Sequence, residues 1–380
     1  MQVTNAQFFK MLGLIAVFTL LIMMKAQVAF LSFDMRLAIK PEGQEPVLRV
    51  PQGYSTIQAA VDAAPPNAII EVAPGVYSEN LLLYKGVRLK GAGANQTEIK
   101  AARQGLPTIL IVPSGASIFG FTITSAQGAF GIQIYGEAVA SISHSVVAGN
   151  SRGGIRALGQ GSTLIKESII RDNGPYGIVL EHVGVPEMVG FSTTQIERNQ
   201  VSGHSEFGIF IINAYDAFIV SNILRDNKRG GIRMRNAYRI NVLSNSISGS
   251  REGAAISGDA SVVPDSDYEL VIVGNVLWDN HSGVDMLDGP TIVELRDNKI
   301  IANQQSGISM LGFVTEARME TVLKGNIVRD NGGYGVLVQS LSIVRECSKN
   351  LVSGNAWGDY VIYGSPPQPS PELKQKCEGS

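Results

Sequence analysis

The amino-acid sequence predicts an all-β fold, a single solenoid of short parallel strands stacked coil upon coil. Three observations carry this reading. First, two Asn five residues apart around a short apolar step recur in Asn222-Ile-Leu-Arg-Asp-Asn227, Asn275–Asn280, Asn298–Asn303, Asn326–Asn331 and Asn350–Asn355. Weaker copies lie at Ser145–Asn150, Ser168–Asn173, Asn199–His204 and Asn245–Ser250. Second, the latter motif position returns after 23 residues from Asn150 to Asn173, His204 to Asn227, Asn227 to Ser250 and Asn280 to Asn303. A recurring period of that size marks a repeat architecture. Third, a Gly follows each motif and opens a run of alternating apolar residues, the period of a β-strand.

Residues 1–40 stand apart from the repeats. Met11 to Met24 is an uncharged apolar run of 14 behind Lys10, which fits the core of a signal peptide. Counted through Lys25 to Phe33 the run is 23 residues, long enough to span a bilayer if Lys25 snorkels to an interface. Cleavage after Ala26 or Ala29 would place the large Met24 or Gln27 where a small residue is wanted. That favours a retained hydrophobic helix, a membrane anchor, over a cleaved signal.

Residues 41–364 form the coil stack, which opens with a short capping helix. Ser55 with Gln58 three positions on makes a capping box; Ile57, Ala60, Val61 and Ala64 follow helical spacing; Pro65-Pro66 stops the helix. The helix shields the first coil, whose bare strand edges would otherwise template aggregation. In register on the Gly, the next residue reads Ile155, Ile178, Ile209, Ile232, Ala254, Val284, Ile308 and Val336. Two further on it reads Ala157, Leu180, Ile211, Met234, Ile256, Met286, Met310 and Val338. Positions that are apolar in every unit stack around one shared core. Between them, Arg156, Val179, Phe210, Arg233, Ala255, Asp285, Ser309 and Leu337 face outward. The Gly supplies a positive φ or tight corner between strands. The Asn columns form ladders in the turns, each amide donating to one neighbour and accepting from the other. About eleven or twelve coils at strand spacing make a rod on the order of 55 Å long, with right-handed crossovers.

From Val50 to Tyr363 the chain resembles the right-handed parallel β-helix of the pectin-lyase-like superfamily, in particular its parallel β-helix repeat and NosD-like members. The entry is similar to that of many members: Gly53-Tyr-Ser-Thr-Ile-Gln-Ala-Ala-Val-Asp-Ala-Ala64, Ile69-Ile-Glu-Val-Ala-Pro-Gly-Val-Tyr-Ser-Glu79 and Val87-Arg-Leu-Lys-Gly-Ala-Gly93. The resemblance implies a single-stranded right-handed β-helix and export from the cytoplasm. It does not imply one activity, because this fold carries many. Gly75-Val-Tyr77-Ser-Glu79 looks like the G-x-Y-x-E of pectin methylesterases, but their D-F-I-F-G and G-R-P-W motifs have no counterpart. Gly203-His204-Ser205 looks like the G-H-G of polygalacturonases, yet N-T-D, paired Asp and R-I-K are missing, and His204 falls in the Asn column as a turn-ladder residue. The D-P-H-D signature of alginate epimerases and their lyase relatives is absent, with Pro264-Asp-Ser-Asp267 a faint echo. Copper binding of the NosD-like kind would need clustered soft ligands. His144, His182, His204 and His281 are scattered, and Met234, Met286 and Met310 point inward, so no metal and no cofactor is expected.

Composition sets the class of partner. Lys+Arg 31 against Asp+Glu 33 gives a net charge of −2, with no basic stripe for nucleic acid. The 42 Gly fit frequent corners. Cys347, in the last full coil, and Cys377, in the Pro-rich tail of residues 365–380, would bridge in an oxidising compartment and pin the tail over the final coil. Their spacing is not that of a zinc site.

The candidate functional residues gather on one side. Insertions of about eight, seven and five residues at Glu181–Thr194, Gly258–Tyr268 and Gly312–Met319 enter at one corner and wall a groove, as insertions on a repeat protein's binding face do. Arg233 and Asp285 share an outward column with Ala255 between them; Arg235, Asp259 and Asp288 lie at or past the strand ends; Glu181 and His182 occupy comparable positions nearer the N-terminus. Tyr215, Phe218, Tyr238 and Tyr268 are in register to stack on sugar rings. Arg233 and Arg235 offer planar, always-charged forks for uronate carboxylates, and Asp285 is the local candidate for a base. Without a recognisable catalytic motif, the sequence reads first as an exported, membrane-tethered β-helix protein that binds acidic polysaccharide or serves as a surface or periplasmic scaffold. The alternative is a polysaccharide lyase or glycoside hydrolase, with Asp285 catalytic and Arg233, Arg235, Asp288, Glu181, His182 and Asp259 holding an acidic glycan.

Overall fold

The computed structural model of the protein describes residues 45–184, 193–259, 269–287, 292–312, 319–340, 343–364 and 366–378. The apolar segment within residues 1–40 lies outside these. Among the described residues no helix is long and apolar enough to cross a membrane.

Each coil visits three sheets in turn. Sheet A holds 13 strands from Val47–Val50 to Val344–Ser348, and sheet B holds 12 from Gly75–Ser78 to Leu351–Ser353. Sheet C runs from Leu81–Leu83 to Gly358–Ile362, and Gln368–Pro369 then adds an antiparallel edge. Every other pairing among the described residues is parallel. The alternating pattern dictates the core. Ile178, Ile209 and Ile232 are consecutive partners on sheet C, and Ile196, Ile219 and Val242 on sheet A. On sheet B each three-residue strand buries its middle side chain, as Val201, Leu224 and Ile247 do. The three stacks meet in one continuous apolar core.

Both Asn columns are ladders. Asn222 shows the arrangement: its Nδ2 donates to Ile196 O (2.8 Å) and to Asn245 Oδ1 (3.0 Å). Its Oδ1 accepts from Asn199 N and Nδ2, both at 3.0 Å. Such an amide spends both hydrogens and both lone pairs in a place closed to water, where an unmade bond is costly. The residue before each ladder Asn is left-handed, for example Ser221 (φ 55) and Asp297 (φ 52) at the A-to-B corner and Asp226 (φ 55) and Asp279 (φ 53) at the B-to-C corner. Asp tolerates that conformation better than most residues, which explains the recurrent Asp-Asn step.

Three sequence readings need correction. The spacing sets Ala254 opposite Ile232, but the structure pairs Ile232 with Ile256 and Arg233 with Ser257. Ala255 fills the corner slot that Gly231 and Gly283 hold in flanking coils, so Gly253 is a false marker two residues early. The corner glycines do not serve a positive φ either. A Cβ on Gly208 would stand 2.8 Å from Asn227 Nδ2, and one on Gly335 2.6 Å from Asn355 Nδ2, so they are small because the ladder presses on them. Finally, helix α1 (Ile57–Ala63) is capped by Thr56, whose hydroxyl accepts from Ala59 N at 3.1 Å, and not by Ser55. The Glu79 carboxylate accepts from Ile57 N and Gln58 N at 2.9 Å each, which gives the Gly75-to-Glu79 motif an architectural role.

Ile57, Ala60 and Val61 bury α1 against the first coil. At the other end α2 (Pro371–Glu378) buries Leu373 and Cys377 over the last coil, and Cys377 is joined to Cys347 by a disulfide.

Two substitutions interrupt the second ladder. Ser250 is too short to reach back to Asn227, and its own Oγ is buried without a partner. His204 fits: Asn173 Nδ2 approaches its Nε2 at 3.4 Å, while its Nδ1 meets Asn227 Oδ1 at 2.7 Å. The neutral tautomer with hydrogen on Nδ1 keeps the ladder's donor direction. Burial lowers its pKa to about 4, against smaller opposing effects of the Asn227 bond and the Asp172 charge.

Asn298→Ala should cost about 1–3 kcal/mol, because four buried partners lose their bonds. Lys228→Ala, at an exposed ion pair with Glu252, should cost about 0.5 kcal/mol or less in the same urea titration. Equal shifts would sink the buried ladder. His204 also makes stability pH-dependent. Its pKa is depressed on folding, so its contribution is complete above about pH 6.5 and falls as pH drops toward 4, by about 3 kcal/mol in all. His204→Asn should flatten that part of the stability profile; an unchanged acid slope would show that another group is responsible.

Candidate functional site

The return corner from sheet C to sheet A is where coils lengthen. Residues 185–192, 260–268, 288–291 and 313–318, outside the described residues, each connect a sheet C strand to the following sheet A strand. The corners on either side of sheet B carry the ladders and vary by at most one residue: both ladder positions stay five residues apart throughout. Sheet C is therefore one of the two faces next to the insertions, and its outward side chains fall into rows along the rod.

One row reads Arg156, Val179, Phe210, Arg233, Ser257, Asp285, Ser309 and Leu337. The row two residues further along each strand reads Leu158, Glu181, Ile212, Arg235, Asp259, Leu287 and Leu311. Arg233 forms an ion pair with Asp259 of the next coil, and Arg235 Nε lies 3.9 Å from Asp259 Oδ1. One carboxylate thus holds two guanidinium groups. Arg235 is the more open of the two and leans over the Phe210 ring at 5.9 Å. Asp285, two coils beyond Arg233 and separated from it by Ser257, is partly covered by its neighbours. Desolvation raises its pKa to about 6, against a hydrogen bond with Ser282 that lowers it. A carboxylate held there is a stronger base than an ordinary one.

The structure splits the remaining candidates. Glu181 shares the row of Arg235 and Asp259 but lies two coils before Arg235, where Arg156 grips it at 3.0 and 2.6 Å. His182 sits 3.9 Å from Glu181 and within 3.3 Å of Asn213 Nδ2. These two form a separate cluster and do not join Asp285. Asp288 and Tyr268 lie outside the described residues. Tyr215 and Tyr238 stack on each other at 4.9 Å beside the Arg239–Asp216 pair. Phe218 faces out from sheet A and leaves the group. His204 belongs to the ladder, and no group of ligating side chains suited to a metal ion occurs among the described residues.

One element was missed by sequence reasoning. Phe130, Val179 and Phe210 form a second, small apolar cluster on the outside of sheet C, flanked by Tyr176 and Phe207. Tyr176 and Phe207 each lie 5.5 Å from Phe210. Its signal was a third row, Phe130, Gly153, Tyr176, Phe207 and Gly230, three residues ahead of the first.

A family model described as a right handed beta helix region matches residues 107–267 and 187–319. A mannuronan C5-epimerase of Pseudomonas putida is 29% identical over 161 residues, which is 39% of this chain and 30% of that protein. The chain therefore matches less than a third of that curated relative's length. Among solved structures, the A-module of an Azotobacter vinelandii mannuronan C-5 epimerase superposes with a TM-score of 0.62 at 18% identity, covering 83% of this chain and 94% of the module. The catalytic unit of an α-1,3-glucanase from Streptomyces thermodiastaticus gives 0.63 at 15% identity over 89% of this chain and 68% of that one. A periplasmic alginate epimerase gives 0.51 at 16% identity over 80% of this chain and 85% of that one. At these identities the structural likeness is one of fold.

Proposed function

We propose, from the premise that the chain belongs to the right-handed parallel β-helix family of pectin-lyase-like proteins, that it is an exported protein acting on a uronate polysaccharide laid along the outside of sheet C. The observation that carries this reading is Asp285, a carboxylate with a raised pKa, on the same face as Arg233 and Arg235. The partial sequence match to a mannuronan epimerase supports a uronan as substrate class. The apolar run from Met11 to Phe33 and the Cys347–Cys377 bridge support passage into an oxidising compartment.

The chemistry follows from the substrate. The C5 hydrogen of a uronate lies next to its carboxylate, and removing it piles negative charge onto that group. Arg235, the more open fork, pairs with the carboxylate and stabilises the charge as it develops. Asp285 accepts the proton. Return of a proton to the opposite face completes an epimerisation; loss of the C4 substituent completes a β-elimination. Hydrolysis fits less well, because Asp259 is committed to two guanidinium groups and does not act as the acid that a glycosidase pair requires.

Two variants test the roles. Asp285→Asn should leave uronan binding intact and lower turnover by about 10²-fold or more. Replacing Arg233 and Arg235 together by Gln should abolish binding to alginate without shifting the melting temperature. Proton NMR of the polymer reads epimerisation, and ultraviolet absorbance of unsaturated ends reads elimination. In the parent, kcat/KM should rise as pH increases through about 6, where Asp285 ionises. Parent protein that binds alginate without converting it would leave only a glycan-binding scaffold. Parent protein that binds no uronate polymer would end the proposal.

A further inference from the structure

The Arg–carboxylate arrangement at the site occurs twice. Arg233 reaches forward to Asp259, one coil on and one row across. Arg156 reaches forward to Glu181 by the same step. Each unit also stands against a ring: Arg156 lies 5.9 Å from the Phe130 centroid, and Arg235 lies 5.9 Å from that of Phe210. Arg156 and Arg233 share one row with Val179 and Phe210 between them, three register steps or about 14 Å apart. That is about the length of a trisaccharide. The floor between them is the apolar cluster, whose rims Tyr176 and Phe207 remain partly open.

We infer that Arg156, held by Glu181 above Phe130, is a distal subsite for a second uronate carboxylate on the same polysaccharide chain. The inference rests on the uronan reading above and adds the chain's course: from Asp285 the polymer runs along the rod axis toward the N-terminal coils, across Phe210. Glu181 neither touches the reacting sugar nor supplies a proton; it fixes the guanidinium with one carboxylate oxygen, at 2.6 and 3.0 Å, so that the outer edge of the fork faces the ligand. Tyr176 and Phe207, the partly open rims of that buried floor, offer stacking to the intervening rings at little cost in entropy.

A two-point grip makes a prediction about length that a single site does not. Arg156→Gln should weaken binding of a mannuronate hexasaccharide by about tenfold, the loss expected for one charge-assisted pair, and leave a disaccharide unaffected. Arg156→Lys should fall between parent and Gln variant, because it keeps the charge and loses the fork. Isothermal calorimetry on the full chain reads the affinities, and thermal melting checks that each variant is folded. Equal weakening of both ligands, or no weakening of either, would overturn the distal subsite while leaving the site at Asp285 standing. Failure of the parent to bind any uronate oligomer would instead defeat the uronan reading and the subsite with it.

Discussion

Everything in this molecule depends on a side-chain hydrogen bond that runs in one direction. Where Asn follows Asn along a ladder, the amide donates to the side-chain oxygen of the next coil, as Asn275 does to Asn298 and Asn298 to Asn326. The backbone N–H of the same residue joins it, as in the bond from Asn275 N to Asn298 Oδ1 at 2.9 Å. A slip by one residue would put a buried amide opposite an apolar group and leave several polar atoms unpaired at once. Hydrophobic stacking alone tolerates such slips better, since Ile, Val and Leu exchange readily in a β core. The ladders therefore set the register, and the register sets which outward side chains become neighbours. Arg233 meets Asp259, and Arg156 meets Glu181, because the coils beneath them are pinned.

That dependence also explains why the face of sheet C is charged in clamps and not at random. An isolated guanidinium on a flat sheet is mobile and strongly solvated. A carboxylate one coil ahead restrains it, and a ring beneath lowers the local dielectric and excludes water. The result is a pair of preorganised forks on a rigid rod, with Asp285 set at the far end among neighbours that discourage its charge. Rigid strands hold such groups more closely than loops do.

Much of this was legible in the chain. The columns headed by Ile178, Ile209 and Ile232 and the paired Asn are periodic, and periodicity survives without any knowledge of packing. The slip at Ala255 arose because a corner Gly was read as a conformational need. The slot is shaped in several coils by an amide pressing on it, and Ala255 occupies it without being glycine. The partnership of Arg233 with Asp259 was hidden by the same slip, since it put Asp259 two residues out of register. The aromatic cluster was hidden for a different reason: Gly153 and Gly230 interrupt Phe130, Tyr176 and Phe207 in their row, so no single repeat displays it. Helix α1 was placed correctly from its buried positions, but its cap was not, because Thr56 is assisted by Glu79, more than twenty residues away in the first turn of the coil.

The two ladder corners and the return corner divide the coil in a way that bears on how such a molecule acquires new properties. Between successive ladder residues the separation is 23 from Asn199 to Asn222 and again from Asn222 to Asn245, but 30 from Asn245 to Asn275 and 28 from Asn298 to Asn326. Nearly all the surplus is taken up where sheet C hands over to sheet A; one residue of the coil from Asn245 to Asn275 sits instead between Ser250 and Ala255. The rod is thus a frame with two welded seams and one open one. Segments of foreign length can enter along the open seam without asking the core or either ladder to move. Grafting there, one coil at a time, would set new side chains beside the clamps of sheet C at a pitch fixed by the stack itself.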